Sequence, residues 1–360
     1  MSVLWYDSHM EDDMNRENFT DRILVWYDAD HRDLPWRHTT DAYRIWISEI
    51  MLQQTRAETV ISYYERFLAR YPDVYHLAES GEEELLKYWE GLGYYSRARS
   101  LQKAAKLIVS EHQGVLPADV QQLRALPGIG DYTAGAIASI AFGIPAAAVD
   151  GNVERVICRY FAIEDMVGTP TVRRMITEKT QALVPYDRPG AFANAMMEMG
   201  ATMCTPKNPK CLLCPVRESC GAFEKGIAGE LPHKPKKKAQ RVENRAVLLV
   251  QWENRILVVQ RKERLLGGLF VFPDVLDENN PAALCAHLGE MGIDAAYDAK
   301  LGHAKHVFTH LIWEMDIHLL AAERMTDVPD GQWVTREELA ALPLPTAVKA
   351  ARQMAMERLK

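Results

Sequence analysis

This 360-residue chain has no apolar stretch able to cross a bilayer: the longest, Ala134 to Val149, is short and is broken by two glycines and Pro145. Its beginning, MSVLWYDSHMEDDMNRENF, is acidic and lacks the positive start and apolar core of a secretion signal. Cysteine is scarce, six in all, which argues against an extracellular module held by disulfides. No internal repeat is visible. The expectation is a protein of a reducing cytoplasm with no membrane partner, long enough for two domains that each bury a core. A net charge of −7 argues at first against a polyanionic partner, but the basic residues are concentrated. From Lys207 to Arg245 ten Lys and Arg stand against four Glu, a local excess of six that leaves −13 on the remainder. Such a patch suits contact with a nucleic-acid backbone as well as it suits a solvated linker.

What cysteine there is falls mostly in one place. Cys204, Cys211, Cys214 and Cys220 form a Cys-x6-Cys-x2-Cys-x5-Cys run, and Pro206, Asn208, Pro209, Pro215 and Gly221 bend the backbone between them. Four thiols gathered by short loops point to a metal or cluster. Spacing alone leaves zinc and iron-sulfur both open, since zinc favours paired Cys-x2-Cys knuckles and iron-sulfur runs favour shorter gaps. Cys158 and Cys285 read as reduced, partly buried small side chains.

From Phe19 to Glu224 apolar residues recur at helical spacing, as in Leu101, Ala104, Ala105 and Ile108, punctuated by Pro35, Pro72, Pro117, Pro127 and Pro185. This predicts an all-α domain of roughly ten short helices over 15–229, after an N-terminal tail of 1–14. The segment ELPHKPKKKAQRVEN, with the boundaries 230–243, reads as a linker. Beyond it, strand-like runs at Arg245–Trp252, Ile256–Gln260, Leu269–Phe272 and Leu311–Leu320 alternate with expected helices at Ala282–Met291 and Arg336–Leu342, so 244–360 is expected to be α+β.

Within the helical half, Leu126-Pro127-Gly128-Ile129-Gly130 joins two helices. Pro127 ends the first, Gly128 and Gly130 permit a tight turn, and the second starts with free N–H groups that suit a phosphate. Val149-Asp150-Gly151-Asn152-Val153 follows about twenty residues later and puts an acid at the start of another helix. Glu49 lies among Ile45, Trp46, Ile47, Ile50, Met51 and Leu52, where burial raises a carboxyl pKa; Asp150 at a helix N-terminus is expected to stay ionised. One group would then be an acid and the other an anion at the same pH, a pairing suited to acid catalysis beside a developing positive charge.

The hairpin, the downstream aspartate and the cysteine run together resemble the endonuclease III superfamily of DNA glycosylases over residues 15–224. Leu34-Pro35-Trp36-Arg37, Ser48 to Thr55 and Gly91 to Arg97 resemble its MutY branch, which removes adenine mispaired with 8-oxoguanine. The resemblance implies one [4Fe-4S] cluster on Cys204, Cys211, Cys214 and Cys220. It implies Glu49 as the proton donor to adenine N7 and later the helper of water, Asp150 as the stabiliser of the sugar cation, and Tyr132 beside Asp150. Trp36, Arg37 and Leu52 match the adenine pocket; Gln54 and Tyr94 match wedges that enter the duplex; Thr55, Gly128, Gly130 and Asn152 belong to the matched DNA-contact motifs. Asn194 matches an adenine-edge position, although the family has Asn then Gln or Glu where this chain has Ala193 and Asn194. Strand-cleaving members carry a lysine at the Tyr132 position. This chain has no lysine from Leu107 to Glu178, which predicts a monofunctional hydrolase.

Gly267 to Pro273 resembles the turn before the catalytic helix of Nudix pyrophosphatases, but the positions for its acids hold Cys285, Ala286, Gly289 and Glu290, too few oxygens for magnesium. The Nudix-like domain is then expected to read 8-oxoguanine through Phe308, Thr309 and His310, with threonine for the usual serine. The expected partner is duplex DNA with adenine opposite 8-oxoguanine or guanine, bound by a monomer. A glycosylase with lyase activity on another base and a non-catalytic damage-binding protein are the competing readings.

Overall fold

The computed structural model describes residues 18–236 and 239–359; the expected tail 1–14 lies outside them. Two compact units emerge, and they do not simply follow each other along the chain. One comprises the described residues up to Glu79 together with Ser100–Lys236, while Ser80–Arg99 joins the residues after 236 in the other.

The first unit is helical: α1 (18–29), α2 (Ala42–Leu52), α3 (Ala57–Arg70), α4 (Val74–Glu79), then, after the excursion, α6 (Ser96–His112, which starts at the unit boundary), α7 (Val120–Ala125), α8 (Asp131–Phe142), α9 (Gly151–Tyr160), α10 (Pro170–Leu183), α11 (Pro189–Glu198) and the short α12 (Gly221–Glu224). α5 (Glu82–Tyr88) lies in the excursion. Helix starts follow local chemistry. Asp41, Asp119, Asp150 and Thr169 accept backbone N–H bonds as N-caps, and Pro170 and Pro189 occupy first turns, where the missing N–H costs nothing. α8 packs on α2 and α11, which brings Tyr132 and Glu49 within reach. A core of Phe19, Ile23, Val156, Ile157, Phe192 and Met196 extends to Cys204, Cys214 and Cys220, so the cysteine loop is anchored on the same apolar mass that carries α9. Trp46, Trp89 and Tyr95 are core aromatics, as expected.

The second unit is built on a mixed sheet of β1 (Arg241–Trp252), β2 (Arg255–Gln260), β3 (Phe270–Val271), β4 (Asp274–Leu276), β5 (Ala295–Val307), β6 (Leu311–Ala322) and β7 (Gly331–Val334). The order is β3-β2-β1-β6-β5, with β4 on β1 and β7 on β2; β1 and β6 run parallel. β1 reads as a nearly continuous apolar run because both its faces are covered. Ala246, Leu248 and Val250 meet Leu284 and Leu288 of α13 (Pro281–Glu290). Val247 and Leu249 meet Leu339 of α14 (Arg336–Ala341) and Ala351 and Ala355 of α15 (Lys349–Arg358).

Several expectations shift. β5, thirteen residues long, was not among the expected strands: its sequence AAYDAKLGHAKHV alternates but carries small and charged side chains rather than the branched ones that mark strands, and it forms an edge of the sheet. α15 and the short β4 and β7 were likewise not foreseen. The expected linker 230–243 is not a solvated strap throughout. Leu231 is buried, its carbonyl accepts from Arg159 Nε at 2.9 Å, His233 O accepts from Val167 N at 2.9 Å, and β1 already starts at Arg241.

Candidate active site

A cavity of about 760 Å³ opens in the helical unit, a size that admits a nucleoside. Glu49, Tyr132 and Asp150 line it together with Trp36, Arg37, Leu52, Gln54, Thr55, Gly130, Asn152 and Asn194, so most of the expected site residues converge although more than a hundred positions separate the first from the last. Five of the expected DNA-contact residues lie elsewhere, among them Gly128 in the hairpin turn, and Phe308, Thr309 and His310 in the second unit. Tyr94 also belongs to that unit.

Glu49 projects from α2 and is buried; its Oε2 accepts a 2.5 Å hydrogen bond from the Tyr132 hydroxyl at the start of α8. Loss of water raises its pKa to about 7, a rise that the Tyr132 bond opposes, the Asp150 charge reinforces and the Arg37 charge opposes. Tyr132 touches Glu49 rather than serving Asp150 alone, and Met197 Sδ lies 3.0 Å from its hydroxyl. Burial pushes the Tyr132 hydroxyl well above its ordinary value, so it remains a donor.

Asp150 caps α9: Oδ1 accepts from Asn152 N at 2.9 Å and Val153 N at 2.8 Å, and Oδ2 from Asn152 Nδ2 at 2.8 Å. The helix terminus is not the only influence on Asp150. Burial dominates and raises its pKa above the ordinary carboxyl value, against the three N–H donors and the Arg155 charge, which favour the anion. Both carboxyls are therefore raised. What distinguishes them is the partners: three N–H donors for Asp150, a lone phenol for Glu49.

Three contributors were not singled out from the sequence. Glu198 at the end of α11 is buried and clamps two arginines, taking Arg32 Nη2 at 2.8 Å and Arg37 Nη2 at 2.7 Å. Burial opposes ionisation here, but the Arg32 and Arg37 hydrogen bonds win and hold its pKa down to about 2. Arg37 is thus fixed in the cavity wall, with its buried Nε lacking a hydrogen-bond partner. Arg155 donates to Asn152 Oδ1 at 3.0 Å, Gly200 O at 2.6 Å and Cys204 O at 2.7 Å, which ties the cap of α9 to the cysteine loop. Gly200 allows this: a Cβ there would stand 2.5 Å from that of Asn152. Arg159 continues the link, with Nη1 3.3 Å from Cys204 Sγ and 2.8 Å from Thr205 O. Only spacing on α9, Asn152, Arg155 and Arg159 on one helical face, hinted at these links.

Cys204, Cys211, Cys214 and Cys220 surround one cavity and are unpaired thiols. Among the described residues no group of three or more His, Cys, Asp or Glu side chains is placed to hold a metal ion. Four thiols around one cavity are a donor set that would suit an iron-sulfur cluster. Lys207 and Lys210 are exposed on the same loop.

The hairpin before α8 has Gly128 at φ 81°, and a side chain there would meet Ser100 Cβ at 2.7 Å, so the turn requires glycine. Gln54 has φ 59° and is exposed at the cavity rim, as a wedge needs to be. In the second unit Val307 pairs with Ile312, which leaves Phe308, Thr309 and His310 as the turn of the β5–β6 hairpin. Phe308 is packed edge-on between His306 and Trp313, whereas Thr309 and His310 are exposed. The Thr309 hydroxyl lies 2.7 Å from that of Tyr94.

Residues 47–182 match the model of the HhH-GPD superfamily of base excision DNA repair proteins, 204–220 the iron-sulfur binding domain of endonuclease III, and 245–354 the NUDIX domain. The chain is 36% identical to human adenine DNA glycosylase, an alignment covering 92% of this chain and 72% of that protein. It is also 36% identical to an adenine DNA glycosylase of Buchnera aphidicola over 71% of this chain and 74% of that one. The helical unit is similar to a solved thermostable thymine-DNA glycosylase, 32% identical with a TM-score of 0.54, covering 59% of this chain and 99% of that one.

Proposed function

The chain belongs to the adenine DNA glycosylase family, and from that premise we propose that its substrate is adenine paired with 8-oxoguanine or guanine, removed by Glu49 and Asp150 without cutting the strand. That it binds duplex DNA, hydrolyses N-glycosyl bonds of adenine and carries a [4Fe-4S] cluster follows from the family and the matched domains. The observation that carries the finer reading is the pairing inside one cavity of a buried glutamic acid with pKa about 7 and an N-cap aspartate.

A base must leave the stack to reach such a cavity, and Gln54 and Tyr94 are the exposed groups suited to fill the gap. Trp36, Arg37, Leu52 and Asn194 hold the adenine. Glu49, half protonated near neutral pH, delivers its proton to N7 as the glycosidic bond breaks, and its anion then directs water. Asp150, whose charge is held by the Asn152 and Val153 N–H groups, faces the oxocarbenium-like sugar. Tyr132 orients Glu49 through its hydroxyl. No lysine lines the cavity, so an amine for Schiff-base chemistry is missing there. In the cluster loop Cys204, Cys211, Cys214 and Cys220 would hold the cluster, which supplies structure; Lys207 and Lys210 on that loop meet backbone phosphates. The protein acts as a monomer.

The test is excision from duplexes with adenine opposite 8-oxoguanine, guanine or thymine, analysed with and without alkali. Abasic sites that break only under alkali, formed fastest opposite 8-oxoguanine, are expected. Strand breaks without alkali would refute the monofunctional reading, and equal rates opposite all three bases would refute the lesion preference.

A further inference from the structure

The residues from Ser80 to Arg99 belong with the sheet unit, and a charge network joins them to it at one helix end. The last carbonyls of α14 have no partner within their own helix and carry the negative end of its dipole. Lys87 Nζ donates to Ala340 O at 2.7 Å and Leu342 O at 3.0 Å. Arg352 of α15 donates through Nη2 to Ala340 O at 3.0 Å. Glu90 joins the two cations, 2.6 Å from Lys87 Nζ through Oε2 and bonded to Arg352 Nη1 through Oε1. All three side chains are mostly shielded, between 21 and 31% exposed, so the network is less screened than a surface pair.

Glu90 stands four residues before Tyr94, and hydrogen bonds from Trp89 and Arg97 brace the backbone between them. Gly91, Gly93 and Tyr94 all have positive φ, at 103°, 69° and 47°. Trp89 Nε1 donates to Gly93 O at 3.1 Å, and Arg97 Nη2 to Leu92 O at 3.0 Å. A displacement at Glu90 is therefore passed to Tyr94, whose hydroxyl meets Thr309.

We propose that Lys87, Glu90 and Arg352 are positioning residues that set where the Tyr94–Thr309 pair stands, and through it the preference for 8-oxoguanine over guanine opposite adenine. The proposal rests on the readings that Tyr94 enters the duplex and that the Phe308–Thr309–His310 turn reads 8-oxoguanine. Arg352 touches neither residue and bonds directly to the segment that carries Tyr94, through Glu90.

The test uses the full-length protein with R352Q, R352K and T309V, measuring single-turnover excision and binding on duplexes with adenine opposite 8-oxoguanine and opposite guanine. R352Q is expected to reduce the preference about fivefold, a coupling usual within one shared network, while R352K, which keeps the cation, restores most of it. An unchanged preference in R352Q alongside a reduced one in T309V overturns the positioning role alone. An unchanged preference in T309V overturns the underlying reading and the proposal with it. If R352K and R352Q lose preference equally and melt at equally lowered temperatures, Arg352 is a stability residue and the proposal fails.

Discussion

Two buried carboxylates, Glu49 of the helical unit and Glu243 of the sheet unit, sit in opposite surroundings, and Glu198 shows that the helical unit holds both kinds. Glu49 is enclosed with one neutral donor, Tyr132, and its pKa rises to about 7. Glu243 in β1 is almost as enclosed, yet it accepts from Arg241, Arg245 at 2.7 Å and Trp313 Nε1 at 3.0 Å; these bonds, foremost that of Arg245, overcome its desolvation and hold its pKa below the ordinary value. Arg245 passes on to Asp274, and its guanidinium lies over the Trp313 ring at 4.4 Å. A buried acid left without a cation can give up a proton, whereas one matched by cations only holds structure. The Nudix-like unit thus keeps a satisfied polar core on β1, and its α13 offers only the exposed Glu290.

The largest test of this contrast is substitution of the unmatched acids. Asp150→Asn keeps the N-cap, since asparagine caps as well as aspartate, and is expected to bind the mispair while excising adenine about a thousandfold more slowly. Single-turnover rates alongside a binding isotherm check this, and near-normal excision would remove Asp150 from the mechanism. Glu243→Gln should do the reverse. It breaks a buried pair, so a loss of about 3 kcal/mol in chemical denaturation is expected, whereas Glu49→Gln, which removes an uncompensated buried acid, costs no stability at pH 8. Comparable destabilisation by both would erase the distinction.

Proton inventory sharpens it further. Because the proposed mechanism needs the acid form of Glu49, single-turnover excision should fall about tenfold per pH unit above about 7, whereas the stability linked to its raised pKa is present below about 4.5 and is lost as pH rises from there through about 7. For Glu198 the sign reverses: its contribution is present above about 4.5 and disappears as pH falls towards 2. Glu198→Gln melting temperatures measured from pH 7 downward should converge on those of the parent; a constant gap would contradict the ion-pair account. The smallest effect is expected at the recognition turn, where Thr309→Ser, keeping the hydroxyl, should alter lesion preference less than about twofold.

Much of this was legible in the residues themselves. The cysteine run, the Leu126–Gly130 hairpin, the cap at Asp150 and the apolar setting of Glu49 are written in spacings of a few positions, because turns, caps and helix faces are decided by near neighbours along the chain. β5 was missed because an edge strand needs few branched side chains, and its partner β6 supplies what its own sequence does not.

What only the tertiary structure decided concerns charge and company across long separations. Glu198 meets Arg37 from 161 positions away, Arg155 joins Asn152 to the Cys204 loop, and Ser80–Arg99 leaves the helices for the sheet unit through Lys87, Glu90 and Arg352. Asp150 shows the limit most plainly: its cap is local and readable, but its pKa is set by how completely other segments exclude water above it. Hydrogen bonds between neighbours are encoded by adjacency, while desolvation depends on everything that packs around a group. The chain by itself therefore named Glu49 and Asp150 as candidates, and the fold set how far each is shut off from water.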